Sequence, residues 1–221
     1  MSEFYNRIID CEYPFIIADI GSNHNGDMNL AKKMIDELDD IGCDVAKFQS
    51  WTKETLWTES FYKDNSRERD KDFGTFEEMI DRFSINDDDH FTLKEYCSNK
   101  NIIFSSTPFS YHEADLLCEL DVPFFKIASM DLNNLGFLEY IAKLGKPMIL
   151  STGMGSLNEI DRAVNIINSA GNKELVLLHC IAIYPPKEDI LNLNNIKMLK
   201  DIFNLPVGFS DHTKGTSVTL A

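Results

Sequence analysis

A chain of 221 residues, 43% of them hydrophobic, can bury one substantial core and is too apolar for a disordered protein. Its formal net charge of -15 argues against a nucleic-acid partner, since binding to phosphate backbones depends on clustered Lys and Arg. The 5 cysteines are scattered without a CxxC pair, which suggests neither a disulfide framework nor a zinc knuckle and fits a reducing compartment.

The N-terminal run MSEFYNRIIDCEY carries acids where a signal peptide carries an apolar stretch, and no segment approaches the roughly 20 apolar residues of a membrane span. A soluble, cytoplasmic protein is expected. The first predicted strand is FIIADIG from Phe15, followed by an amphipathic helix, LAKKMIDELDDIG, from Leu30. The second strand is VAKFQS from Val45. After it, residues 51–86 break the rhythm: they are polar, charged and aromatic, with KDNSRERDKDFG at their centre and no clear period. This long insertion reads either as a lid and specificity element or as a surface excursion.

Further strands follow: IIFSSTP from Ile102, FFKIAS from Phe124, PMILSTG from Pro147, LVLLHCIA from Leu175 and PVGFSDH from Pro206. A second amphipathic helix, LNEIDRAVNIINSAG from Leu157, ends on a Gly suited to a helix C-terminus. The runs are continuously hydrophobic, as parallel strands buried on both faces should be. Repeated βα alternation leaves two architectures, the doubly wound sheet and the eight-stranded barrel. Nearly every strand ends in polar chemistry, and no GxGxxG follows the first, so the prediction is an α/β fold of the (β/α)8 TIM-barrel type. Seven βα units are visible over residues 1–221 and the eighth strand is missing, so that barrel is incomplete. No internal repeat or interdomain linker is evident.

The runs IADIGSNHNGD, VAKFQSW, FSSTPFS, FKIASMDLNN, ILSTGM, LLHCIAIYP and VGFSDHT resemble, in order and spacing, the strand-end motifs of the N-acetylneuraminate (sialic acid) synthase family, which includes legionaminic and pseudaminic acid synthases. That resemblance implies condensation of phosphoenolpyruvate with an N-acetylated amino-sugar aldehyde, either N-acetylmannosamine or a diacetamido hexose. The product is a nine-carbon 2-keto sugar acid, and phosphate is released. It also implies a homodimer, with a C-terminal antifreeze-like domain that nothing in residues 1–221 encodes.

By the same resemblance, Lys47 and Lys126 match anion-binding lysines. Thr107, Ser129, Ser151 and Ser210 match hydroxyl donors to the phosphate and carboxylate, and Tyr184 matches a further phosphoenolpyruvate contact. A lysine inside an apolar strand is costly unless it points into a polar site, whereas Ser and Thr after strands also serve turns and helix caps, as Ser151-Thr152-Gly153 would. Asp19, Gln49 and Tyr184 match sugar contacts. His212 matches a ligand of a divalent metal, usually manganese, with magnesium or cobalt as alternatives; the partner histidine of the family lies on the eighth strand. His179, within an apolar strand, reads as a hydrogen-bonded core residue, and His24 as either a turn residue or part of the matching loop.

Departures concentrate on the acceptor side. Asp19 stands where a glutamate is usual, and Asp131 stands where one is frequent. Asp131 is the position expected to activate the attacking or metal-bound water, and Asp19 to hydrogen-bond the sugar. Ala182 replaces an asparagine of the HCTNIYP form, which leaves the acceptor open. Two rival readings remain: a Schiff-base aldolase using a strand lysine such as Lys126, and a non-catalytic ligand-binding fragment.

Overall fold

The computed structural model describes residues 1–10, 12–67 and 69–219. They form two compact bodies, Glu12–Val122 and Met1–Cys11 with Pro123–Ala221, and each is treated by itself.

In the first body, strands β1 (Ile17–Gly21) and β2 (Val45–Ser50) pair in parallel. The short antiparallel pair β3 (Arg69–Asp70) and β4 (Gly74–Thr75) lies in the insertion, and β5 (Ile103–Pro108) pairs in parallel with the other side of β2. β2 is central, and Val45, Ala46 and Phe48 are wholly buried, which is why the run reads as unbroken hydrophobicity. The helix expected from Leu30 starts two residues earlier and spans Met28–Asp40. Its N-cap Asp27 accepts from the backbone N–H groups of Asn29 and Leu30. The stop comes at Gly42, whose φ of +72° suits a residue without a Cβ.

The insertion is folded. Helices Lys53–Leu56, Glu59–Asp64 and Phe76–Phe83 gather around buried Trp51, Tyr62 and Ile80, with Leu56, Trp57, Phe76, Phe83 and Phe109 packed against them. Trp51 Nε1 donates to the Ile80 carbonyl at 3.2 Å, and Tyr62 Oη donates to the Lys53 carbonyl at 2.8 Å. A segment with no clear period in its sequence thus holds organised structure. Helices of four to eight residues are too short to write a 3.6-residue period into the sequence.

The second body holds the parallel sheet β6 (Phe125–Ile127), β7 (Met148–Ser151), β8 (Leu175–Cys180) and β9 (Val207–Ser210), paired in that order. Helices Leu135–Lys143, Leu157–Ser169 and Asn194–Phe203 alternate with these strands. Helix Leu157–Ser169 opens on a reciprocal cap between Ser156 and Glu159 and stops before Gly171, at φ +95°. Ser151 and Thr152 do not cap it. Ser151 is the last residue of β7 and is turned to other use. A helix at Glu3–Ile9, which the sequence reading had not assigned, docks here: Phe4 stacks on Phe124 with ring centroids 4.8 Å apart, and Tyr5 Oη donates to the Leu175 carbonyl.

Candidate active site

In the first body a polar group forms where β1, β2 and β5 end. The parallel register sets Asp19 beside Lys47 and Gln49 beside Thr107, and alternation along a strand puts Lys47 and Gln49 on one face of the sheet. Lys47, only 5% exposed, is not left as a bare buried charge. Its Nζ donates to Asp19 Oδ1 at 2.8 Å and to Thr107 Oγ1 at 3.4 Å. Gly21, at φ +54°, lets the chain turn tightly here. A Cβ on it would stand 3.3 Å from Asp19 Oδ1 and 3.4 Å from the Gln49 Nε2. Four of the residues singled out from the sequence, Asp19, Lys47, Gln49 and Thr107, are thus neighbours.

The opposite face of the same strands carries a network that the sequence reading missed. Ser50 Oγ lies 2.6 Å from both His90 Nε2 and Ser106 Oγ, and His90 Nδ1 lies 2.8 Å from the Asn86 carbonyl. A carbonyl can only accept, so Nδ1 carries the proton and Nε2 accepts from Ser50. Burial keeps the His90 pKa below the usual histidine value. His24, also fully buried, accepts from the Gly26 N–H through Nδ1, which shows it ordering its loop; burial followed by the nearby His90 lowers its pKa too.

In the second body Lys126, 7% exposed, donates from Nζ to Ser151 Oγ at 2.6 Å and to the Ile127 carbonyl at 2.9 Å. Ser129 and Asp131 sit on the single 3-10 turn Ser129–Asp131 that follows β6. Ser129 Oγ accepts from the Gly153 N–H at 3.1 Å and touches Cys180 Sγ at 3.1 Å. The Asp131 carboxyl is 8% exposed; burial raises its pKa, against a weak 3.4 Å hydrogen bond from Asn134 to Oδ1, while Oδ2 has no partner among the described residues. At the end of β9, Ser210 Oγ lies 3.3 Å from His212 Nε2, and His212 Nδ1 lies 2.8 Å from the Ile181 carbonyl. Tyr184, mostly exposed, leans over His212 with ring centroids 4.1 Å apart. His179 is the core residue its sequence context suggested, with Nε2 2.7 Å from the Leu191 carbonyl.

His212 suits a metal as one ligand. Its Nδ1–H is spent on a carbonyl, so the lone pair it could offer a cation is on Nε2, where the Ser210 hydroxyl now lies at 3.3 Å. Among the described residues no group of three or more His, Cys, Asp and Glu side chains is placed to hold an ion. Among the described residues no helix is long and apolar enough to cross a membrane.

Residues 34–221 match the model of the NeuB family. The chain is 43% identical to an uncharacterized protein of Methanocaldococcus jannaschii, over 92% of this chain and 57% of that protein. It is 41% identical to an N,N'-diacetyllegionaminic acid synthase of Campylobacter jejuni, over 93% of this chain and 63% of the relative. It thus spans about three fifths of the length of these relatives. Among solved structures, an N-acetylneuraminic acid synthetase from Leptospira borgpetersenii superposes with a TM-score of 0.83 at 37% identity, covering 93% of this chain and 67% of that one. The fold is that of these TIM-barrel-type synthases, and the chain belongs to the NeuB family.

Proposed function

We propose that the intact protein condenses phosphoenolpyruvate with an acetamido-sugar aldehyde to give a nine-carbon 2-keto acid and phosphate. The carrying observation is that each body holds one nearly buried lysine within a parallel strand, its ammonium donating to a hydroxyl on the neighbouring strand: Lys47 to Thr107 and Lys126 to Ser151. A buried ammonium with neighbouring hydroxyl donors fits an anionic ligand, and phosphoenolpyruvate carries two anionic groups. The family membership and the named synthase activity of the Campylobacter jejuni relative support the same reaction.

In this reading C3 of phosphoenolpyruvate bonds to the aldehyde carbon, water adds at C2, and the C–O bond to phosphate breaks. Lys47, Lys126, Thr107, Ser129, Ser151 and Ser210 hold the phosphate and carboxylate, with Tyr184 as a further contact. Asp19 and Gln49 meet the sugar. Asp131 takes a proton from the attacking water, a role suited to a carboxyl whose pKa is drawn upward by burial. A divalent ion, with His212 as one ligand, would polarise the aldehyde; manganese is our first choice. The acceptor is N-acetylmannosamine or a diacetamido hexose, and we place the enzyme in the cytoplasm as a homodimer.

The test is phosphate release from phosphoenolpyruvate by the intact protein, with manganese and a panel of acetamido sugars. Sugar-dependent release at the expected stoichiometry supports the reading. Release with no sugar dependence, or a covalent adduct on Lys126 after borohydride reduction with pyruvate, sinks it in favour of hydrolysis or an imine mechanism.

A further inference from the structure

The turn after β6 presents a junction that the synthase reading leaves unexplained. Ser129 Oγ has two protein neighbours at 3.1 Å, the Gly153 N–H and Cys180 Sγ. Gly153 is close enough to Cys180 that a Cβ on it would lie 2.6 Å from Sγ and 2.7 Å from the Cys180 carbonyl oxygen. Cys180 is 3% exposed. The carboxyl ends of β6, β7 and β8 are therefore drawn onto one hydroxyl. The same turn carries Asp131, more than nine-tenths buried, with Oδ2 unpartnered among the described residues, which points independently to a ligand at this place.

A hydroxyl has two acceptor lone pairs and one proton. The Gly153 N–H occupies one lone pair. If the thiol donates to the other, the Ser129 proton is left for an outside acceptor. If the hydroxyl instead donates to sulfur, that proton is spent on one of the weakest acceptors in a protein. An anionic oxygen accepts far better than a thiol sulfur, so a bound anion selects the first arrangement.

We propose that Cys180 is a positioning residue: its S–H, together with the Gly153 N–H, saturates the oxygen of Ser129 and turns the Ser129 proton towards the anionic group of phosphoenolpyruvate. This rests on the synthase reading for the identity of the ligand, and on the Ser129–Cys180–Gly153 geometry for the orientation.

The test uses the intact protein and two measurements. In the infrared, the S–H stretching band assigned by subtracting the spectrum of Cys180→Ser should shift when Ser129→Ala removes its acceptor; a band that does not move overturns the hydrogen bond without any reference to catalysis. In steady-state kinetics, Cys180→Ala should raise KM for phosphoenolpyruvate by about 3- to 10-fold, the span of one lost hydrogen bond. KM for the sugar should stay put, and Cys180→Ser, which keeps a donor, should recover most of the loss. Equal loss in kcat and in both KM values, with a lowered Tm, would mean that Cys180 only fills space. If the wild-type protein binds no phosphoenolpyruvate, this proposal falls together with the synthase reading; if wild type and Cys180→Ala bind it equally, this proposal alone falls.

Discussion

Asp131 shows how a buried carboxyl bears on stability. Burial raises its pKa, so the carboxylate present at neutral pH is held less comfortably folded than unfolded. The stability it gives is present below the ordinary carboxylate range and is lost as pH rises through its raised folded value. Asp131→Asn removes that charge, and we expect a protein at least as stable as wild type near neutral pH by thermal melting, with condensation slowed by about 100-fold or more. A variant that is both less stable and fully active would refute both halves. The lysines run the other way. Lys47→Met or Lys126→Met should cost phosphoenolpyruvate binding roughly 2 to 5 kcal/mol, read by calorimetry on folded variants. These two lysines were legible in the sequence because a cation inside an apolar strand has few bland explanations. Cys180 and the Ser50–His90–Ser106 network were not, since a cysteine or serine in such a run looks like any small core residue until its neighbours are known.

At the scale of elements, His90 couples helix Asp87–Asn99 to β2 through Ser50, and Ser50 joins β2 to β5 through Ser106. Protonated, His90 could no longer accept from Ser50. Both His24 and His90 have folded pKa values below 6.5, so the unfolded chain takes up protons first. Stability should be full above about pH 6.5 and fall below it, by up to about 1.4 kcal/mol per pH unit for each histidine. Urea midpoints across that range check this, and His24→Gln should flatten the slope; an unchanged slope would exonerate it. The insertion supplies a separate unit. Ile80→Ala should cost about 2 to 5 kcal/mol where it packs on Trp51 and Tyr62. Trypsin should then cut between Lys53 and Arg82 faster than in wild type, while the strands outside stay protected. Cleavage spread evenly along the chain would show that the segment has no local stability of its own. The strands could be read in advance because burial on both faces leaves unbroken apolar runs. They were read too long at some ends: Ser129 already belongs to a 3-10 turn, and β9 stops at Ser210. The insertion was opaque because its core is assembled from aromatics on several short helices.

For the whole molecule, charge and length set the terms. A net charge of -15 would oppose the anionic substrate proposed above, so its binding would depend on local cations, and Lys47 and Lys126 are each embedded among short-range partners rather than spread over the surface. The matched relatives are longer by well over a third, and among the described residues of the second body β9 pairs only with β8. Its residues Val207–Ser210 are all only half-buried, whereas β8 has five of its six residues buried. An edge of this kind is a template for further pairing. His212, just past that edge, is one imidazole, which holds manganese weakly on its own. A polypeptide of residues 1–221 prepared by itself should therefore bind phosphoenolpyruvate at most, give negligible manganese-dependent condensation, and self-associate in size-exclusion chromatography. The intact protein should condense under the same conditions. A monomeric 1–221 polypeptide that turned over phosphoenolpyruvate and an acetamido sugar with manganese would place the metal ligands, and with them the catalytic geometry, somewhere other than around His212.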